Sequence, residues 1–143
     1  MQQYGMTRTF PINYDKSVEV FEQYADILKR KECYENVWKL FDKTCMFSEW
    51  ETRICFGYVV VQDCGYQICV EHCFLMTQDN EIVDITCQRE YSKYYVLMAL
   101  TPSEYLDLIL QSKITDLSNL ELLKELKNNF EDQAKGKECI CIG

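Results

Sequence analysis

His72 and Asp84 are the residues whose types and spacing most directly indicate chemistry in this sequence. His72 is the only histidine of the chain, and it lies in the strand-like stretch Gln67 to Thr77. Asp84 follows twelve residues later, beyond the polar turn Gln78 to Asn80. A hairpin centred near Asp79 therefore predicts that His72 and Asp84 are close to directly opposite each other on paired strands.

A carboxylate beside a histidine fixes the tautomer of the ring and stabilises its protonated form. Asp84 also interrupts an otherwise apolar run, Ile82 to Ile85, where an unpaired carboxylate would be costly. A structural alternative stays open for each residue. His72 can be a half-buried strand histidine with a hydrogen-bonded ring, and Asp84 can be an edge-strand residue that faces water.

Cys33 is the best placed nucleophile among the nine cysteines. It opens a predicted helix, where backbone N–H groups and the helix dipole stabilise a thiolate. The residues that follow it, Tyr34 to Asn36, offer backbone donors for an oxyanion. The alternative is an inert cysteine buried in a helix. Four other cysteines lie among apolar neighbours and are interpreted as small hydrophobic side chains of strands, namely Cys55, Cys69, Cys73 and Cys87.

These residues together resemble the transglutaminase-like and papain-like cysteine superfamily. The stretch from Glu71-His72-Cys73-Phe74 to Glu81-Ile82-Val83-Asp84-Ile85-Thr86 is similar to the hairpin that carries histidine and aspartate in that superfamily. Cys33-Tyr34-Glu35-Asn36 with Trp38 resembles the cysteine helix of its small bacterial and phage members. Gly57-Tyr58 falls where such proteins often have a glycine. The resemblance covers roughly residues 30–100.

The resemblance implies thiol-dependent acyl transfer through a thioester. Cys33 attacks an amide or ester carbonyl, His72 shuttles the proton, and Asp84 orients His72. Water as the second substrate gives a protease or amidase, and an amine gives a transglutaminase-type transferase. The implied substrate is a protein, a peptide or a small amide. The alternative function is a non-catalytic binding or inhibitor protein that uses a papain-like scaffold to sequester a partner or small ligand.

The elements that position these residues follow from the hydrophobic pattern. A helix is predicted from Ser17, with Ser17 as its cap, and a second helix from Cys33 to Asp42. Strands are predicted over Arg53 to Gln62, Gln67 to Thr77 and Glu81 to Cys87, with a further one over Tyr94 to Leu100. Thr101-Pro102-Ser103-Glu104 predicts a capped helix, and Ser118 with Glu121 predicts another over roughly 118–134.

The order of elements indicates an α+β fold, in which N-terminal helices pack on a mainly antiparallel sheet of 3–5 strands and two C-terminal helices follow. At 143 residues the chain fits a single domain. Within it we expect a catalytic-like core at about 17–100, a helical part at about 101–135 and a short tail at 136–143. The tail sequence KECICIG is compatible with a short strand docked on the sheet.

Composition and charge limit the classes of partner that this protein is expected to bind. The formal net charge is −8, from 15 Lys plus Arg against 23 Asp plus Glu, so we expect neither nucleic acid nor an anionic membrane surface as partner. The longest apolar run, Tyr94 to Leu100, is too short to span a bilayer, and a cytoplasmic chain with reduced cysteines is expected. No C-x-x-C pair occurs, so neither a metal site nor a cofactor is predicted. The sequence leaves the oligomeric state open.

Overall fold

The computed structural model describes residues 1–44, 52–63, 65–113, 117–135 and 139–142. The strands are β1 (Phe10–Pro11), β2 (Arg53–Asp63), β3 (Tyr66–Met76), β4 (Ile82–Val83), β5 (Lys93–Leu100) and β6 (Cys139–Ile142). The helices are α1 (Tyr14–Gln23), α2 (Cys33–Thr44), α3 (Pro102–Ser112) and α4 (Glu121–Ala134), with a 3-10 turn at Leu117–Asn119. The predicted α+β class is confirmed.

The strands form one sheet in the order β1-β5-β2-β3-β4, with antiparallel neighbours throughout this path. β6 is added to β3 in the parallel direction, with Gln67 opposite Cys139. Within the described residues the sheet has six strands, one more than the upper end of the expected range, because the two-residue β1 and the C-terminal β6 extend it. The end of the tail is a strand, as its composition allowed.

The two faces of the sheet are covered differently. One face, called the helical face here, packs against the four helices through a large apolar core that includes Val37, Phe56, Tyr105 and Phe130. The opposite face, called the open face, carries a smaller core in which Phe10 packs with residues of β2, β3, β4 and β5. His72 lies on the open face because it shares the alternation of Phe74, a member of that smaller core.

Part of the open face remains accessible beside His72. Six aliphatic residues of β2, β3 and β6 form two rows across three strands, and their side chains are half-buried or exposed. We call this surface the aliphatic strip, and it consists of Val59, Val61, Ile68, Val70, Ile140 and Ile142. Ile140 is 50% exposed and Ile142 48%. A contiguous apolar surface of this kind is characteristic of binding sites rather than of ordinary protein exterior.

The residues that begin the helices confirm one of the predicted caps and contradict two others. Thr101 caps α3 in a capping box with Glu104, as predicted. The cap of α1 is Asn13, whose side chain accepts a hydrogen bond from Lys16 N, so the prediction for Ser17 is wrong. The capping box predicted for Ser118 is also wrong, because Ser118 lies in the 3-10 turn and α4 begins three residues later without a side-chain cap.

Gly57 is required where β2 passes between its two neighbours. It is opposite His72 on β3, and the register with β5 shifts between Phe56 and Gly57. A Cβ atom added to Gly57 would lie 1.9 Å from the carbonyl oxygen of Tyr95. The clash is with backbone, so relief requires the two strands to move apart.

We therefore expect Gly57→Ala to lower the free energy of unfolding by about 3 kcal/mol, because an overpacked sheet interior cannot relax cheaply. Urea denaturation followed by circular dichroism measures the change. Gly5→Ala is the matched control, since Gly5 has a positive φ of 61° but no atom within 4 Å of the added Cβ. Its cost should be only about 1 kcal/mol. Equal losses in the two variants would contradict the steric explanation.

Candidate active site

Asp84 is the centre of the candidate site and is fully buried. Its Oδ2 accepts hydrogen bonds from His72 Nε2 at 2.8 Å and from the Tyr94 hydroxyl at 2.6 Å. Its Oδ1 accepts the backbone N–H groups of Thr86 and Cys87, both at 3.0 Å. Four donors therefore hold the carboxylate, which compensates the cost of burying a charge.

The hydrogen bond from Nε2 fixes the orientation of the His72 ring. The ring is 7% exposed and stacks against Phe74 and Tyr94, with ring centroids 6.0 and 6.4 Å away. Because Nε2 is taken by Asp84, Nδ1 is the ring nitrogen left for another partner. The ring therefore packs against two neighbouring aromatic side chains and is directed by one carboxylate.

Cys33 is the other partner of His72. Burial by itself lowers the pKa of His72, but the charge and hydrogen bond of Asp84, followed by a hydrogen bond and the charge of Cys33, raise it to about 10. His72 is consequently an imidazolium at neutral pH, between a carboxylate and a sulfur. The structure brings Cys33, His72 and Asp84 together in one chain of contacts.

The position of Cys33 at the first residue of α2 gives it two further properties. The N–H groups of the first turn of a helix have no carbonyl partner within that helix, and they carry the positive end of the helix dipole. Cys33 is half-buried, and it borders a solvent-open depression of about 320 Å³ lined by residues 31–35. A substrate carbonyl could therefore reach the sulfur and find backbone donors beside it.

Asn36 connects the cysteine helix to the aspartate turn. Its side chain is fully buried; Oδ1 accepts from Lys29 N, while Nδ2 donates to Lys29 O and to Thr86 Oγ1. Thr86 in turn donates its N–H to Asp84. The separation between Cys33 and Asp84 is therefore fixed by a continuous hydrogen-bond path rather than by the sheet alone.

Ser17 and Tyr34 support the site from two other directions. Ser17 lies inside α1, fully buried, and its Oγ accepts the N–H of Asp84 at 3.0 Å. Tyr34, next to Cys33, donates to Glu71 Oε1 at 2.8 Å, and Lys127 of α4 contacts the same oxygen at 2.9 Å. Burial, followed by the charges of Cys73 and Glu71, raises the pKa of Tyr34, so it remains a donor.

The predicted opposition of His72 and Asp84 is wrong in its register, although the contact exists. β3 and β4 pair Leu75 with Val83 and Met76 with Ile82, which would set Asp84 opposite Phe74 if the ladder continued. The ladder ends at Val83, because the backbone of Asp84 turns to bind Ser17. The side chain of Asp84 then reaches His72 from beyond the end of the strand.

The early end of β4 also corrects the prediction for Cys87. It was expected as a strand hydrophobe, but it lies beyond β4 and its thiol is exposed. The same expectation holds for Cys55, Cys69 and Cys73, which are buried strand residues. Cys64 and the side chain of Cys139 lie outside the described residues.

Comparison with known proteins finds no relative of this chain. No family model, curated protein or solved structure matches the chain. Within the described ranges, no group of three or more His, Cys, Asp or Glu residues is placed to hold a metal ion. In the same part of the chain, no helix has the length and apolar character needed to cross a membrane.

Proposed function

We propose that this protein catalyses thiol-dependent acyl transfer on an amide or ester substrate, with Cys33 as nucleophile, His72 as proton carrier and Asp84 as the residue that orients His72. The observation that carries the proposal is the unbroken contact path from buried Asp84 through His72 to Cys33. It agrees with the resemblance of these residues to the transglutaminase-like and papain-like cysteine superfamily.

Nucleophilic attack requires the thiolate form of Cys33, and the raised pKa of His72 places an imidazolium beside that sulfur. In the first step the sulfur of Cys33 adds to the substrate carbonyl carbon, and N–H groups at the start of α2 receive the oxyanion. His72 gives its proton to the leaving amine or alcohol as the C–N or C–O bond breaks, which leaves a thioester on Cys33. Water or an amine then attacks the thioester, His72 takes a proton from it, and the acid or the new amide is released with the thiolate restored.

The test compares two thiols of the same chain. At about pH 6 an ordinary thiol is almost wholly protonated and reacts slowly with iodoacetamide. Cys87 is exposed and serves as the internal reference. We expect Cys33 to be carbamidomethylated at least about ten times faster than Cys87, because the imidazolium of His72 lies beside its sulfur. Peptide mass spectrometry of samples quenched at intervals gives both rates.

His72→Ala should reduce the rate at Cys33 to that at Cys87, since it removes the imidazolium without touching either sulfur. Circular dichroism of the variant reports whether it folds, and His72→Gln provides a second variant that keeps a polar side chain in the same space. Equal labelling of Cys33 and Cys87 in the unaltered protein contradicts the proposal. So does a folded His72 variant in which Cys33 keeps its full rate.

A second candidate function is a non-catalytic binding protein on the same scaffold. The observation that favours it is the aliphatic strip, whose side chains retain exposure on the open face. In this case the contacts of Asp84 and His72 only stabilise the fold, and Cys33 reacts no faster than Cys87. The labelling experiment therefore separates the two candidates.

A further inference from the structure

β6 leads towards the candidate site along the edge of β3. The two strands are parallel, with Ile68 opposite Ile140 and Val70 opposite Ile142. His72 follows Val70 by two residues, on the same face of the strand. The carboxyl end of β6 therefore approaches the level of the residues that would react with substrate.

The aliphatic strip begins one row from His72. On β2 and β3, Gly57 is opposite His72, and the next row on the same face pairs Val59 with Val70. Successive rows on one face of a sheet are about 7 Å apart, which is also the spacing of alternate side chains in an extended peptide. The rows of the strip therefore follow the row that contains His72 at the same spacing as the alternate side chains of a β-strand.

The backbone edge of β6 indicates which chemical class of molecule binds beside the aliphatic strip. Among the described strands, β6 pairs with β3 alone, and no other of these strands lies along its second edge. Such an edge binds a polypeptide by strand addition, whereas an alkyl chain has no groups to pair with it. The net charge of −8 further disfavours an acidic peptide.

We propose that the acyl donor is an extended polypeptide segment, neutral or basic, that adds as a strand to β6 and places alternate aliphatic side chains beside the aliphatic strip. This inference rests on the proposed acyl transfer at Cys33. The segment runs parallel to β6, because its carbonyl group must arrive at the carboxyl end of that strand, where Cys33 and His72 meet. Ile140 and Ile142 of β6 are exposed. In the proposed complex they contact the aliphatic side chains of the bound segment.

The test uses peptidyl chloromethyl ketones, in which the sulfur of Cys33 displaces chloride and forms a thioether with the carbon that bore it. One tetrapeptide probe carries valine at alternate positions, and its partner carries the isosteric threonine there. We expect the valine probe to label Cys33 at least tenfold faster than the threonine probe. Iodoacetamide, which is too small to touch the strip, measures the reactivity of Cys33 by itself.

Ile140→Thr combined with Ile142→Thr should remove most of the preference for the valine probe and leave the iodoacetamide rate unchanged, because these two side chains are adjacent to the added strand. Val18→Thr is the matched control, because Val18 is a half-buried valine of α1 outside the strip. It should keep the preference.

The outcomes separate this inference from the proposed function. If Cys33 reacts selectively with iodoacetamide but treats both peptide probes alike, the peptide inference is overturned and acyl transfer stands. A long-chain alkyl chloromethyl ketone that labels Cys33 faster than the valine probe also overturns it, in favour of a fatty acyl donor. If Cys33 shows no selective reaction with iodoacetamide, the proposed function and the inference built on it both fall.

Discussion

Asp84→Asn is expected to slow alkylation of Cys33 at about pH 6 by at least about tenfold and to lower the free energy of unfolding by about 3–5 kcal/mol. The carboxylate accepts two donors on each oxygen. An amide can accept on one oxygen only, so its NH₂ group must face two donors, whichever way it turns. The imidazolium of His72 also loses its counter-charge. Alkylation kinetics and urea denaturation measure the two effects.

Tyr94→Phe is the matched control for Asp84→Asn. It removes the other donor to Oδ2 but keeps the hydrogen bond between Asp84 and His72. We expect the rate at Cys33 to stay within about threefold of the unaltered protein, with a stability loss of about 1 kcal/mol. A fall in the rate as large as that of Asp84→Asn would mean that packing around the carboxylate, rather than its bond to His72, governs the reactivity of the sulfur.

The stability of the protein should fall steeply between neutral and alkaline pH because of His72. Its pKa is raised from the ordinary 6.5 to about 10 in the folded protein. A raised folded-state pKa stabilises the fold fully below the unfolded value, and this contribution is lost as pH rises through the folded value. We expect a decrease of roughly 3–5 kcal/mol in the free energy of unfolding between about pH 6 and about pH 10.

Tyrosine, lysine and cysteine groups titrate in the same alkaline range, so the informative quantity is the difference between the unaltered protein and a variant. His72→Gln removes the titrating ring, and its stability should vary much less over this interval. Cys33→Ser retains the pairing of His72 with Asp84, so most of the decrease should persist. A decrease of equal size in His72→Gln and in the unaltered protein would show that other groups cause it.

The local patterns of the sequence predicted that His72 and Asp84 lie near each other, and the resemblance to the cysteine superfamily added Cys33 to them. A helix start, an apolar strand with one histidine and a short polar turn are local patterns, and each is set by residues close in the chain. The fold class follows from the order of these patterns. This is why the assignment of α2, β3 and β5 was right to within a few residues.

The role of Ser17, the end of β4 and the additional partners of the site depend on tertiary contacts, so local sequence patterns did not predict them. Ser17 has the side chain of a helix cap, but it binds the backbone of Asp84, 67 residues away, from inside α1. The β3–β4 ladder ends at Val83, before this bond, and its pairing of Leu75 with Val83 sets a register two residues away from the predicted opposition of His72 and Asp84. Tyr94 and Asn36 were missed as partners of the site because they meet it across the fold, with no local signal in their neighbourhoods.

The parallel pairing of β6 with β3 affects how the chain folds. Gln67 and Cys139 are opposite each other, so this contact joins segments 72 positions apart in the sequence, and closing so long a loop makes it a late event. Until β6 arrives, β3 has an open edge with Ile68 and Val70 beside it, and two unfinished molecules can pair there. Refolding yield should therefore decline as protein concentration rises, even under conditions in which the completed fold is stable.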